Sequence, residues 1–156
     1  MTFRFAAAAV LALAFVSVAE AAEFEIRMLN DGTKGAAVPL ADSWRYRMVF
    51  DPDLVRIAPG DTVHFIATDK GHDVQSIEGM IPDGGQGFVG KISQDLTVTF
   101  TVPGVYGIKC DPHLAMGMVG LIVVGDPVNR KAAEAVKDAL DIRLAKKRFD
   151  LLFGEL

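Results

Sequence analysis

Tyr106-Gly-Ile-Lys-Cys-Asp-Pro-His-Leu-Ala-Met-Gly-Met118 holds the only cysteine of the chain, one of its three histidines and two of its six methionines. The runs on either side, Val98-Thr-Phe-Thr-Val102 and Val119-Gly-Leu-Ile-Val-Val124, are β-branched and bounded by glycine and proline, so both read as strands. The stretch is therefore a tight inter-strand loop. It carries a thiol (Cys110), an imidazole (His113) and a thioether (Met116 or Met118), soft and borderline ligands that can close on one metal ion. A second imidazole must come from elsewhere, and His72, in Thr68-Asp-Lys-Gly-His-Asp-Val74, is the candidate.

Working towards the N-terminus, short extended segments recur between turn signals. Glu23–Leu29 alternates polar and apolar residues, Met48–Pro52 and Leu54–Ile57 are short runs, and Pro59-Gly60-Asp61 turns into Thr62–Thr68. Val74–Ile77 is short and extended, Gly79–Gly90 is a glycine-rich loop, and Thr97–Val102 alternates up to the turn at Pro103-Gly104. This spacing predicts an antiparallel sandwich or barrel. Ala36–Arg47, with Trp44, Arg45, Tyr46 and Arg47, follows no period. His64, mid-strand, reads as a half-exposed strand histidine.

The pattern changes after Asp126-Pro127, where Asp126 is placed as N-cap and Pro127 as the first helical residue. Ala132, Ala133, Val136, Leu140 and Leu144 then recur at steps of three and four, and Phe149, Leu151 and Leu152 continue the pattern as a second short helix. The apolar stripe is assigned to packing on the sandwich, because a membrane-surface helix would carry fewer acids on its polar face. The expected division is a leader over 1–21, a metal-binding domain over 22–126 and a helical extension over 127–156.

The leader rests on Arg4, the apolar run Phe5–Val18 and Ala19-Glu20-Ala21, a small-x-small cleavage site. The run is shorter than the roughly 20 apolar residues that span a bilayer. Cleavage leaves a chain that begins Ala22-Glu23-Phe24 and has no span. Export into an oxidising space makes a lone cysteine a liability unless it is a ligand, since it has no partner for a disulfide. The formal net charge of −4 carries no footprint for nucleic acid.

Cys110, His113 and a methionine in the order C-x₂-H-x₄-M, with His72 as second imidazole, make the His₂Cys set with a weak axial thioether that suits type 1 blue copper. Four protein donors leave no open position for a substrate, which points to electron transfer rather than catalysis. Spacing leaves Met116 and Met118 both open as the axial ligand. A copper enzyme needs further histidines, and only His64 remains. A copper chaperone or storage protein is the alternative function; it would favour an open Met- and His-rich site.

The chain also resembles the pseudoazurins, small periplasmic cupredoxins. The likeness lies in Met28-Leu-Asn30, Ala58-Pro-Gly-Asp-Thr-Val63, Thr68-Asp-Lys-Gly-His72, Gly79-Met-Ile-Pro-Asp-Gly84, Pro103-Gly-Val-Tyr-Gly107, Lys109-Cys110, Pro112-His113 and Met116-Gly-Met-Val-Gly120. The resemblance implies a mainly β, Greek-key cupredoxin sandwich with a C-terminal pair of helices. It implies one copper ion on His72, Cys110, His113 and Met118, and so selects Met118. It further implies a monomeric, diffusible periplasmic electron carrier to a reductase such as copper nitrite reductase, with nitrous oxide reductase or a c-type cytochrome as other partners. Docking would use an apolar patch of Leu114, Ala115, Met80 and Ile81 around His113, ringed by Lys70, Lys91 and Lys109.

Three departures from that pattern stand out. Asp73 replaces an asparagine whose amide ties the first histidine's loop to the cysteine loop, so the tie is expected to be lost or rebuilt with a protonated acid. A charged Asp73 should favour Cu(II) and lower the reduction potential. Asp31 and Val89 stand where lysines are common. Ala36–Arg47 is longer than the family pattern, and its Trp, Tyr and Arg residues are of the kinds enriched at docking hot spots.

Overall fold

The structure is a computed structural model that describes residues 20–32 and 40–156. Residues 1–19, which hold most of the expected leader, and residues 33–39 of the turn and aperiodic segment lie outside the described residues. Eight strands follow: β1 (Glu23–Asp31), β2 (Arg47–Asp51), β3 (Leu54–Ile57), β4 (Thr62–Ile66), β5 (Gln75–Ser76), β6 (Leu96–Thr99), β7 (Gly104–Lys109) and β8 (Val119–Val124). Two helices close the chain, α1 (Arg130–Ala139) and α2 (Arg143–Gly154). Among the described residues no helix is long and apolar enough to cross a membrane.

The strands form two four-stranded sheets, in the orders β2-β1-β4-β6 and β3-β8-β7-β5. β1 runs parallel to β4, and β3 parallel to β8, while the other neighbours are antiparallel. The alternation read in β1 and β4 is that of strands with one face inward: Ile26, Met28, Val63 and Phe65 are buried, Glu25 and Arg27 are exposed, and Thr62, His64 and Ile66 are half-buried, with Leu29 buried as well where β1 leaves the alternation. Ile26, Met28, Val63 and Phe65 meet Val55, Tyr106, Ile108, Ile122 and Val124 of the other sheet.

β8 does not alternate because both of its faces are covered. Ile122 and Val124 point into the sandwich, while Val119 and Leu121 join a second cluster with Ala133 of α1 and Ala145, Phe149 and Leu152 of α2. The helices thus pack on the outer face of the β7–β8 hairpin. That hairpin carries the loop quoted above, so one of its sides is buttressed by α2.

Three boundaries differ from the sequence reading. The first helix starts at Arg130, not at Pro127, with Asn129 at the N-cap position. Asp126 and Pro127 instead make a turn, with Val128 N–H on the Asp126 carbonyl and Arg130 N–H on that of Pro127. The Asn129 side chain caps no helix amide: its Oδ1 accepts from Val105 N–H at 2.6 Å and its Nδ2 donates to the Val105 carbonyl at 2.9 Å, pinning the helix to β7. Secondly, the helix ends before Leu140, whose backbone is extended, and Leu144 belongs to α2. Further back, β6 pairs only to Thr99. Phe100 leaves the ladder to exchange hydrogen bonds with the Pro59–Asp61 turn, through Asp61 O and Gly60 N–H.

Candidate metal centre

Cys110 follows β7, Met118 precedes β8, and the seven residues between them fold back on themselves. Cys110 N–H donates to Met118 O at 3.0 Å, while the N–H groups of Met118 and Met116 share the His113 carbonyl. Leu114–Met116 forms one 3₁₀ turn ending at Gly117, at φ +84°. A side chain there is disfavoured by that φ and would also sit 3.0 Å from the Leu144 carbonyl of α2. The loop is therefore closed across its neck and seated on α2.

His72 comes from the β4–β5 connection. Its carbonyl accepts from Ser93 N–H at 2.7 Å, and Gly71 N–H donates to the Ser93 hydroxyl. Asp69 N–H bonds the Met28 carbonyl, and the Asp69 carboxylate accepts from Asn30 N–H at 2.6 Å. Asn30 in turn places its side-chain oxygen 3.1 Å from Nε2 of His72. An acceptor there puts the proton on Nε2 and leaves the Nδ1 lone pair facing inward, the arrangement of a metal-ligating imidazole held by an outer partner.

Nδ1 of His72 lies 3.8 Å from the Cys110 sulfur, and Nδ1 of His113 lies 3.3 Å from it. The three donor atoms fall within 4.8 Å of one another. The two rings are tilted at 55°, with centroids 4.6 Å apart. His72 and Cys110 are buried and His113 is partly exposed, so the cluster opens to solvent along the His113 ring alone of the three. Met118 is buried in the same apolar cluster as Cys110, whereas Met116 is 47 % exposed. His64 stands apart, bonded to Thr97 on β6 and beside Glu23.

Burial pushes the Cys110 thiol up to about 11, against the pull of the Asp73 and His113 backbone N–H groups. Burial, and then the neighbouring His113, lower the pKa of His72, while Asp69 and Asp73 oppose this less strongly. A protonated thiol and a neutral imidazole, poised around a shared point and screened from water, fit a soft cation that replaces the thiol proton.

The lost or protonated tie expected at Asp73 is not what forms. The carboxylate acts as the acceptor: Asp111 N–H, in the cysteine loop, donates to Oδ1 at 2.7 Å, and the Gln75 amide donates to Oδ2 at 2.8 Å. The two loops are thus bridged by acceptor oxygens, and the bridge needs no donor from the acid. Asp73→Asn keeps one acceptor for Asp111 and removes a negative charge beside the cluster. The reduction potential of the copper-loaded variant should rise by tens of millivolts, the order that one screened charge produces. An unchanged potential by voltammetry would show that the charge is not felt.

The apolar patch also needs correction. Met80 is fully buried, its sulfur filling the space that a side chain at Gly107 would need. Leu114 and Ile81 are half-buried, and Ala115 and Met116 are exposed. Lys70 and Lys91 are exposed, but Lys109 bonds Asp111 at 2.6 Å, which offsets its charge. Sequence reading also missed Asn30 as the partner of His72. It stood in the quoted motif, but nothing local tied it to a residue 42 positions away.

The model of the copper-binding plastocyanin/azurin family matches residues 39–125. A pseudoazurin of Methylorubrum extorquens is 45 % identical over 159 aligned residues, covering 100 % of this chain and 99 % of the relative. One of Paracoccus pantotrophus is 46 % identical, covering 85 % of this chain and 84 % of the relative. The crystal structure of pseudoazurin from Methylobacterium extorquens AM1 superposes with a TM-score of 0.73 at 44 % identity, over 85 % of this chain and 98 % of that one. The donor cluster, the two-sheet fold and these relatives agree that the chain belongs to the copper-binding plastocyanin/azurin family and, within it, to the pseudoazurins.

Proposed function

We propose that the protein is a periplasmic blue copper electron carrier that holds one ion through His72, Cys110, His113 and Met118 and passes single electrons to a reductase such as copper nitrite reductase. The observation that carries this reading is the convergence of the two Nδ1 atoms on the buried Cys110 sulfur, with only His113 of the three reaching the surface. Copper held there supplies a one-electron couple. The chain's own part is to keep the donors fixed: Asn30 orients His72, Asp73 bridges the loops, and the Cys110–Met118 neck holds the thiol and thioether together. A site so constrained adapts little between oxidation states, which favours fast exchange. The donors come entirely from protein, so no position is kept for a substrate. Lys70 and Lys91 would steer an acidic partner towards His113, and Lys109 would contribute less because of Asp111.

Copper-loaded protein should show strong thiolate-to-copper absorption in the red and a reversible one-electron wave on an electrode. Colourless binding of Cu(I) alone would favour the chaperone or storage reading and overturn this one. Met118→Leu should alter both the spectrum and the potential, whereas Met116→Leu should leave the spectrum as it is. A spectrum that responds to Met116→Leu and not to Met118→Leu would reverse the ligand assignment.

A further inference from the structure

The segment before β2 is not a free surface loop. Leu40–Tyr46 is a 3₁₀ turn laid against α2, and the Arg148 guanidinium, only 2 % exposed, gathers its backbone. Nη2 donates to the Trp44 carbonyl at 3.0 Å and reaches that of Arg47 at 3.5 Å, while Nη1 reaches that of Met48 at 3.5 Å. The Trp44 ring is capped by Lys147, whose Nζ stands 4.3 Å from the ring centroid. Trp44, Arg47, Met48 and Leu144 then line a groove of about 290 Å³ whose remaining wall is Met116.

Met116 belongs to the His113 loop, and its N–H bonds the His113 carbonyl. The groove is therefore continuous with the surface where His113 emerges. Its floor is apolar and aromatic, and its rim is cationic: Arg47 lines it, Lys147 sits over the Trp44 ring, and both are exposed. Among the described residues the ion pair of Arg47 is a loose, exposed contact with Asp31 at 3.7 Å, which screens little of its charge. On the opposite side of the charge balance, Lys109 is offset by Asp111 and Val89 adds no charge.

We propose that the Trp44–Met116 groove is a second docking surface for the protein's redox partner, occupied by an apolar protrusion flanked by acidic residues on that partner. A cationic rim around a rigid apolar floor selects this chemistry, since rim charges steer encounter and a buried aromatic anchor holds the complex. Arg148 pre-organises the floor, so binding does not have to order it. Docking here keeps His113 beside the interface, because Met116 is shared by the groove and the ligand loop.

The inference rests on the electron-carrier reading, and the two fail differently. The test uses copper-loaded full-length protein with a copper nitrite reductase as the probe partner, and compares Arg47→Glu/Lys147→Glu with Lys70→Glu/Lys91→Glu and with Trp44→Ala. For the Arg47/Lys147 pair we expect about a tenfold lower bimolecular rate at low ionic strength, converging on the parent at high salt, with the electrode wave unchanged. For Trp44→Ala the loss should persist at high salt. Rates indifferent to Arg47→Glu/Lys147→Glu at low salt overturn the groove, as does a loss that only tracks a changed potential. A parent that keeps its wave yet exchanges no electrons with the reductase overturns the proposed occupant. A parent with no reversible wave overturns the carrier reading itself.

Discussion

Replacing Arg148 with methionine should lower the melting temperature by roughly 10 °C, corresponding to about 3 kcal/mol. The side chain is buried, and its two terminal nitrogens hold the carbonyls of Trp44, Arg47 and Met48. Methionine fills much of the volume but donates nothing, so those acceptors lose their partner away from water. Asp53 adds a second cost. Burial raises its pKa and the nearby Arg148 charge is what holds it down. Arg148 is likewise lowered by burial and supported by Asp53. Desolvation outweighs the attraction for both groups, so neither is fully compensated, and losing the cation removes the charge that holds the half-buried Asp53 carboxylate down.

That gives the penalty a pH dependence with a fixed sign. A carboxyl whose folded pKa is raised contributes stability that is present below its unfolded value and lost as pH rises through the folded one. Arg148→Met pushes Asp53 further up, so its destabilisation should be larger at pH 7 than near pH 4, and Asp53→Asn in the same chain should recover part of it. The single tryptophan, Trp44, reports locally: its emission should shift to the red before the sandwich melts. A variant melting within 2 or 3 °C of the parent at pH 7 would reduce Arg148 to a packing residue.

Nothing local in the sequence marked Arg148. It lies inside the apolar pattern of α2 and bonds a carbonyl 104 residues earlier, so only the folded chain shows what it does. The same limit separates what could be read from what could not. Cys110, His113 and Met118 sit on one loop, and the chemistry of adjacent donors is visible in their order. His72 was picked out as the imidazole of the Thr68–Val74 loop, and the resemblance to the pseudoazurins placed a ligand on it. The strands were legible where one face is buried, as in β1 and β4, and β8 was legible as an uninterrupted apolar run. The helix start was misplaced because Asp126-Pro127 is good capping chemistry in isolation, while the hydrogen bonds of Asn129 to Val105 cross the fold. The break between the helices was invisible because the apolar period continues from Leu140 to Leu144 through it. Met80 looked like surface for a similar reason: a residue in a glycine-rich loop is expected to be exposed, unless a glycine on the facing strand makes room for it.

The copper-free protein should become less stable as pH rises from about 9 to about 11, and the copper-loaded protein should not. Burial holds the Cys110 thiol at about 11 against a reference of 9.0, so the folded chain retains a proton that the unfolded chain has lost. Stability is thus fully present below the unfolded value and drains away through this window by an amount on the order of 2–3 kcal/mol. Tyr106 is shifted upward by burial as well and adds to the loss in the same direction. Cys110→Ala should therefore flatten the profile without making it level, whatever it does to the absolute stability. In the copper-loaded protein the thiolate is already committed to the metal, and the thiol contribution disappears from the slope. The same proton sets the pH dependence of uptake. Between about pH 7 and 9 the Cys110 thiol keeps its proton, and burial keeps His72 neutral, so the apparent affinity for copper should rise about tenfold per pH unit, with one proton released per ion bound. Urea unfolding of the copper-free chain across this range, with a pH-stat measurement of proton release, checks both statements. An alkaline profile that is the same with and without Cys110, and loading that releases no proton, would mean that the thiol is already ionised in the empty site. The Asp73 and His113 amides would then outweigh burial at the sulfur.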